Sequence, residues 1–237
     1  MVKHGKKYEE AAALVDRTKS YTPEEAVELV KKSARAGFDE TVELHLRMGL
    51  DPRNAAQQVR GVALLPHGLG KKVKVLVFAQ GEAEKIAGEA GADYVGGDDL
   101  VKKIEDGWID FDTAIAVPEM MSKVGKLGKI LGRRGLMPNP KSGTVVAMND
   151  LPGVIEDARK GRVEYKLDRT AIIHVTLGKA SFESAMLLEN LTAVVEAVVK
   201  AKPAGAKGQY VKSAFLTTTM GPGIKLELTP TLALSAA

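Results

Sequence analysis

The heptapeptide Thr217-Thr218-Thr219-Met220-Gly221-Pro222-Gly223 joins three β-branched hydroxyl residues, which favour extended backbone, to a Gly-Pro-Gly that has little side-chain bulk and must turn or lie open. An uncharged, hydroxyl-rich strand end suits hydrogen bonding to the 2′-hydroxyls that distinguish RNA from DNA. The same residues also read simply as a strand entering a turn. A second stretch, from Lys123 to Lys141, holds six basic residues and no acidic one: Lys123, Lys126, Lys129, Arg133, Arg134 and Lys141. Its glycines permit close backbone approach, and its cations suit phosphate neutralisation with salt-dependent binding. The plain alternative is a solvated basic helix end and loop.

Other chemistry is poorly supplied. Cysteine is absent, which removes disulfides, thiolate nucleophiles, iron–sulfur clusters and Cys-based zinc sites. His4, His45, His67 and His174 are scattered without ligand spacing, so no metal is expected, and His174 reads as an ordinary strand residue. Asp98, Asp99, Asp110 and Asp112 are expected to cap helices or face water rather than act as an acid–base pair. A nucleotide- or small-molecule-dependent enzyme is the natural rival wherever strands and helices alternate. The fingerprints are missing: Gln80-Gly81-Glu82 stands where a G-x-G-x-x-G would begin, no G-x-x-x-x-G-K-[ST] occurs, and Gly68-Leu69-Gly70-Lys71 lies before its strand rather than after it. No catalytic residue and no cofactor is expected. Aromatic residues are scarce at 5%, which argues against a stacking platform; Phe38, beside Gly37, reads either as the first core residue of a strand or as an exposed contact.

The elements that must carry these residues fall into two textures. Thr22-Pro23-Glu24-Glu25 starts an amphipathic helix ending near Ala36, and Phe38 to Met48 then alternates apolar Val42, Leu44, Leu46 and Met48 with polar neighbours, as a half-solvated strand does. Val62 to Leu65 is a further strand. Beyond Pro66-His67-Gly68 the pattern changes to a buried strand at 73–79, a helix at 82–90, a strand at 92–95, a helix at 98–106, a strand at 113–117 and a helix from Pro118. Such alternation indicates βαβ units around a parallel sheet covered on both faces. After Gly161 the first texture returns. Residues 163–167 and 171–177 read as paired strands around Asp168-Arg169-Thr170, 183–200 as a long helix, and 210–220 as a last strand.

These textures predict an α+β domain from residues 1–68 and 161–237, interrupted by an α/β domain at 69–160, with hinges at Gly68 and Gly161. Charge divides with them. Residues 69–160 hold 14 basic and 14 acidic residues, so the net charge of +4 lies in the outer parts. No stretch approaches the roughly 20 apolar residues of a membrane span, and Glu9-Glu10 follow the basic N-terminus where a signal core would begin. The expectation is a cytoplasmic protein with no membrane partner.

In order and spacing, Lys3-His4-Gly5-Lys6, Phe38-Asp39-Glu40-Thr41-Val42-Glu43, Asp51-Pro52-Arg53, Val59-Arg60-Gly61, Leu65-Pro66-His67-Gly68, Ala90-Gly91-Ala92-Asp93, Leu136-Met137-Pro138-Asn139-Pro140-Lys141, Gly178-Lys179-Ala180-Ser181-Phe182 and Thr217 to Pro222 resemble the family of the first-numbered protein of the large ribosomal subunit, which forms the mobile stalk beside the tRNA exit site. Only Thr229 to Ala237 fall outside the resemblance. It implies a split-βαβ-like α+β domain built from both termini, with an inserted Rossmann-like α/β domain. It implies binding of large-subunit ribosomal RNA through Phe38, Thr41, Arg53, Asp168, Arg169, Thr170, Thr219, Met220 and Gly221. It also implies contact with exit-site tRNA, repression of its own messenger RNA, and a monomer when free of the ribosome.

The chain departs from that family at Gly37 and Asn54, each standing where a basic residue is usual, at Ala55-Ala56 in place of a polar pair, and at Arg133 in place of proline. These changes predict a less charged contact in the outer domain and a more cationic tip on the insertion.

Overall fold

The computed structural model describes residues 5–234; His4, grouped above with the scattered histidines, lies outside them. In chain order the elements are α1 (Lys6–Ala13), α2 (Pro23–Ser33), β1 (Thr41–Met48), β2 (Arg60–Leu64), β3 (Val75–Phe78), α3 (Glu82–Glu89), β4 (Tyr94–Gly96), α4 (Asp98–Glu105) and β5 (Thr113–Ala116). They continue with α5 (Met121–Val124), α6 (Gly128–Arg134), α7 (Leu151–Lys160), β6 (Arg162–Lys166), β7 (Ile172–Lys179), α8 (Ser184–Lys200), β8 (Val211–Thr218), β9 (Ile224–Leu226) and α9 (Leu228–Ala233). The chain divides into two compact units, Met1–Gly70 with Val163–Ala237, and Lys71–Arg162. Mixed α/β architecture is therefore found throughout.

The outer unit is built on a four-stranded sheet in the order β7-β1-β8-β9. Strand β1 is antiparallel to both neighbours, with Leu44 opposite Val175 and Leu216. Its alternation sends Val42, Leu44, Leu46 and Met48 inward, where they meet α2 and α8. Helix α2 starts where Thr22 and Glu25 form a reciprocal capping box ahead of Pro23, an arrangement contributing about 1 kcal/mol. Helix α8 buries Leu187, Leu191, Val194, Val195 and Val198 at three- and four-residue spacings. It also buries Asn190, which accepts from the His67 N–H and donates to the carbonyls of Gly68 and Leu177. Asn190 thus supplies bonding partners to the half-buried His67–Gly68 loop and to the β7 backbone at Leu177.

Residues 163–167 and 171–177 do not pair as a hairpin. Strand β6 joins β2 in a separate two-stranded sheet, whereas β7 joins β1. Across the turn they are connected by the Leu167–Ile173 bridge, the Asp168 N–H to Ile172 carbonyl bond and the Ile172 N–H to Asp168 carboxylate bond. The reason lies in long-range competition: β1 offers β7 a seven-residue register with matched alternation, and the Val59 carbonyl accepts the Leu167 N–H. Ala171, with φ of 61°, redirects the chain between them.

In the inserted unit β3 is central to a parallel sheet ordered β4-β3-β5. All four of its residues are buried because the sheet is covered on both faces: Leu76 and Phe78 pack with residues of α4, α5 and α6, and Val75 and Val77 with residues of α3 and α7. Helix α7 has no counterpart among the elements read from sequence, although Leu151, Val154, Ile155 and Ala158 follow helical spacing and Gly161, at φ of 113°, ends it in the left-handed region. Strand β9 and helix α9 are likewise additions. Tyr21 bonds the β9 edge through both backbone groups, and Leu228 and Leu232 pack on the core.

Candidate nucleic-acid interface

Among the described residues, the core-facing side chains of the outer sheet meet α2 and α8, and the opposite face carries the intervening residues of each strand. Because β1, β7 and β8 are in register, its side chains form rows three residues wide: Ile172, Arg47 and Ser213; His174, His45 and Phe215; Thr176, Glu43 and Thr217. The rows follow from period-2 alternation, since the intervening residues face the core. At about 3.3 Å per residue, β1 carries this face over roughly 25 Å.

Phe38 and Met220 stand at one end. The α2–β1 connection leaves Phe38 57% exposed, and the turn after β8 leaves Met220 63% exposed, so Phe38 is a surface side chain and not the first core residue. Thr41 N–H donates to Thr219 Oγ1 at 3.0 Å, and Lys179 Nζ donates to Thr41 Oγ1 at 2.9 Å. Asp39 accepts from both the N–H and the hydroxyl of Ser181. Gly221 is required by packing: a Cβ there would collide with Thr218 Oγ1 and press on Ser33 Oγ. Thr217 spends its hydroxyl on the carbonyls of Thr218 and Gly221, and Thr218 is buried.

Asp168, Arg169 and Thr170 lie at the other end, preceding β7. Asp168 accepts from the N–H groups of Thr170 and Ile172 and from the Thr170 hydroxyl. Burial opposes ionisation of Asp168, but these donors and the neighbouring His174 outweigh it and hold its pKa below the usual carboxylate value. Arg169 is exposed. Arg53 belongs to the loop after β1, where its N–H donates to Asp51 and its side chain is exposed. Next to it, Asn54 accepts from the Ala56 N–H and caps a short 3₁₀ turn at Ala55–Gln57, which is a structural use for a position read above as a lost cation.

Between the two ends, His45 and His174 pair across the strands. Sequence reasoning treated the histidines as scattered, because 129 residues separate these two; the only local signal was that each alternates with core residues and so points outward. Nδ1 of one lies 2.7 Å from Nδ1 of the other, and their Nε2 atoms are each 3.7 Å from an acid, Glu43 for His45 and Asp168 for His174. Among the described residues, no group of three or more His, Cys, Asp or Glu is placed to hold a metal.

The helix expected from Pro118 runs on, in short pieces, through most of the basic stretch of the inserted unit. Val124, Leu127 and Leu131 are buried in the core and force residues 121–134 into α5, a 3₁₀ turn at Gly125–Leu127, and α6. Lys126, Lys129, Arg133, Arg134 and Lys141 are exposed. Lys123 is not part of that open set: its Nζ lies 2.8 Å from Asp98, and it holds the Asp98 carboxyl below its usual pKa. Arg133 and Arg134 sit in the last turn of α6, where cations favour the helix dipole, and Gly135, at φ of 74°, closes the helix. Among the described residues no helix is long and apolar enough to cross a membrane.

The family model of the ribosomal protein L1p/L10e family matches residues 30–222. The chain is similar to a large ribosomal subunit protein uL1 of Dehalococcoides mccartyi (strain BAV1), at 69% identity over 228 residues and 96% of each chain. With the protein of that name from strain 195 it shares 66% over 237 residues, covering both chains fully. With that of Thermomicrobium roseum it shares 57% over 233 residues, or 98% of this chain and 97% of the relative.

Proposed function

The chain belongs to the ribosomal protein L1p/L10e family, a structural and non-enzymatic constituent of the large ribosomal subunit, and from that premise we propose that the sheet face of the outer unit opposite α2 and α8 binds a folded element of large-subunit ribosomal RNA. The observation that carries the proposal is the pairing of Phe38 and Met220, two large apolar side chains held exposed on adjoining turns at one end of that face. Apolar groups cannot attract phosphate; they suit unstacked bases and the sugar surface of a shaped RNA. Hydroxyls of the Thr41–Thr219 neighbourhood and the Asp168–Thr170 turn supply hydrogen bonds, and Arg47, Arg53 and Arg169 supply charge. The rival expectation of a nucleotide-dependent enzyme gives way to the family assignment.

The finer roles form part of the same proposal. Exposed Lys126, Lys129, Arg133, Arg134 and Lys141 suit the phosphates of exit-site tRNA during its release, and the rRNA surface, offered a similar fold in its own messenger, would repress translation. Gly68 and Gly161, with φ of 66° and 113°, are proposed as the hinge positions.

The test is titration of the protein with a transcript of the stalk region of large-subunit ribosomal RNA, and separately with ATP and NAD. Saturable RNA affinity with no nucleotide affinity is expected. The salt slope should be shallower than that of a wholly phosphate-driven complex; nucleotide affinity without RNA affinity would sink the proposal.

A further inference from the structure

Glu40 is 1% exposed, and its carboxylate stands directly behind the Phe38 and Met220 turns. Oε1 accepts from the N–H groups of Arg35 and Ala36, both at 2.8 Å, and Oε2 accepts from the Met220 N–H at 3.0 Å. No cation pairs with it among the described residues. The donors come from two segments about 180 residues apart in sequence, and neither segment is a strand or helix at those positions. Burial opposes ionisation, yet the amides of Ala36 and Met220, the Thr218 hydroxyl and the Arg35 amide together hold the pKa below its usual value. Among the described residues Thr218 Oγ1 is buried and meets hydrogen-bond geometry with no group.

We infer that Glu40 is a positioning residue for the RNA-binding surface: one buried carboxylate joins the loop that presents Phe38 to the turn that presents Met220, and thereby sets their spacing. The inference rests on the RNA-binding reading above. Without the carboxylate, the three amides would turn to water, and each loop would be free to move independently of the other. A carboxylate is suited to the task because it is acceptor-only on both oxygens and so receives donors from both sides at once. Glutamine is not equivalent. It keeps one acceptor for Arg35 and Ala36 but turns an NH₂ group towards the Met220 N–H, donor against donor.

The test is a double-mutant cycle on affinity for the stalk-region transcript, using Glu40→Gln, Met220→Ala and both together. Glu40→Gln should weaken RNA binding about tenfold to a hundredfold, the range of a lost charge-assisted hydrogen bond, with an unchanged salt slope because no phosphate contact is removed. Adding Met220→Ala should then cost little more, since a displaced Met220 has no contact left to lose. Independent, multiplying losses would overturn the role of Glu40 while leaving the RNA surface standing. Unchanged affinity of Met220→Ala alone would overturn the surface itself. Should Glu40→Gln fail to fold, amide hydrogen exchange on the unaltered protein decides the matter: Arg35, Ala36 and Met220 should be protected, and exchange at the rate of free loop amides would overturn the inference.

Discussion

His45 and His174 meet across β1 and β7 with their Nδ1 atoms 2.7 Å apart, in the middle row of the sheet face opposite α2 and α8. At that distance one ring nitrogen must donate and the other accept, so the pair is stable when neutral or when it holds a single extra proton. Two imidazolium rings in the same place would repel each other.

A dependence of stability on pH follows. The His45 pKa is lowered in the fold, first by burial and then by the charge of His174, with Glu43 partly opposing. The folded state therefore binds this proton less readily than the unfolded chain. Its contribution is fully present above the unfolded pKa of about 6.5 and is lost as pH falls from there through the lowered folded pKa. Thermal unfolding at a series of pH values between about 8 and 5 should show a drop that is smaller in His45→Gln. An equal drop in both proteins would show that the pair does not control it.

Met220→Asp should weaken stalk-RNA binding by at least about tenfold, or about 1.4 kcal/mol, while leaving stability within about 0.5 kcal/mol, because the side chain is mainly in water. Calorimetric unfolding and an RNA titration on the same preparation separate the two effects. Retained affinity would remove the Met220 end from the interface.

Gly37 has open space around the place a Cβ would occupy, so a longer residue fits without strain. Gly37→Lys should raise RNA affinity at low salt and steepen the slope of log K against log salt by somewhat less than one, the value for a single added phosphate contact. If the slope stays the same, the α2–β1 connection is not beside the RNA backbone.

Changing Lys126, Lys129 and Arg133 together to Glu should leave stalk-RNA affinity nearly unchanged but weaken tRNA binding, because these residues belong to the inserted unit and Phe38 and Met220 to the outer one. Filter binding with both RNAs reads the split. Parallel losses on both would mean that one continuous surface serves them.

Much of the fold could be read from local pattern. The α2 capping box, the alternation of Val42, Leu44, Leu46 and Met48, and the continuous apolar run of β3 each express a short-range rule that needs no partner to be recognised. Helix α7 obeys such a rule too, but Pro152 and Gly153 in its first turn mask the pattern. Residues 163–167 and 171–177 differ from local expectation for another reason, since strand pairing is decided by whichever partner gives the longer matched register, and β1 is more than 120 residues away from β7.

The sequence by itself determined the elements with a clear local period, among them α2, β1, β3 and α8, and pointed to Phe38 and Thr219–Gly221 as candidate contacts. Only the tertiary structure decided that Phe38 is exposed, that Lys123 is spent on Asp98, that two histidines form a pair, and that a buried Glu40 joins the Phe38 and Met220 turns. Periodicity specifies a residue's own side of its element, whereas these facts depend on which element lies opposite, and that is settled by packing across long sequence separations.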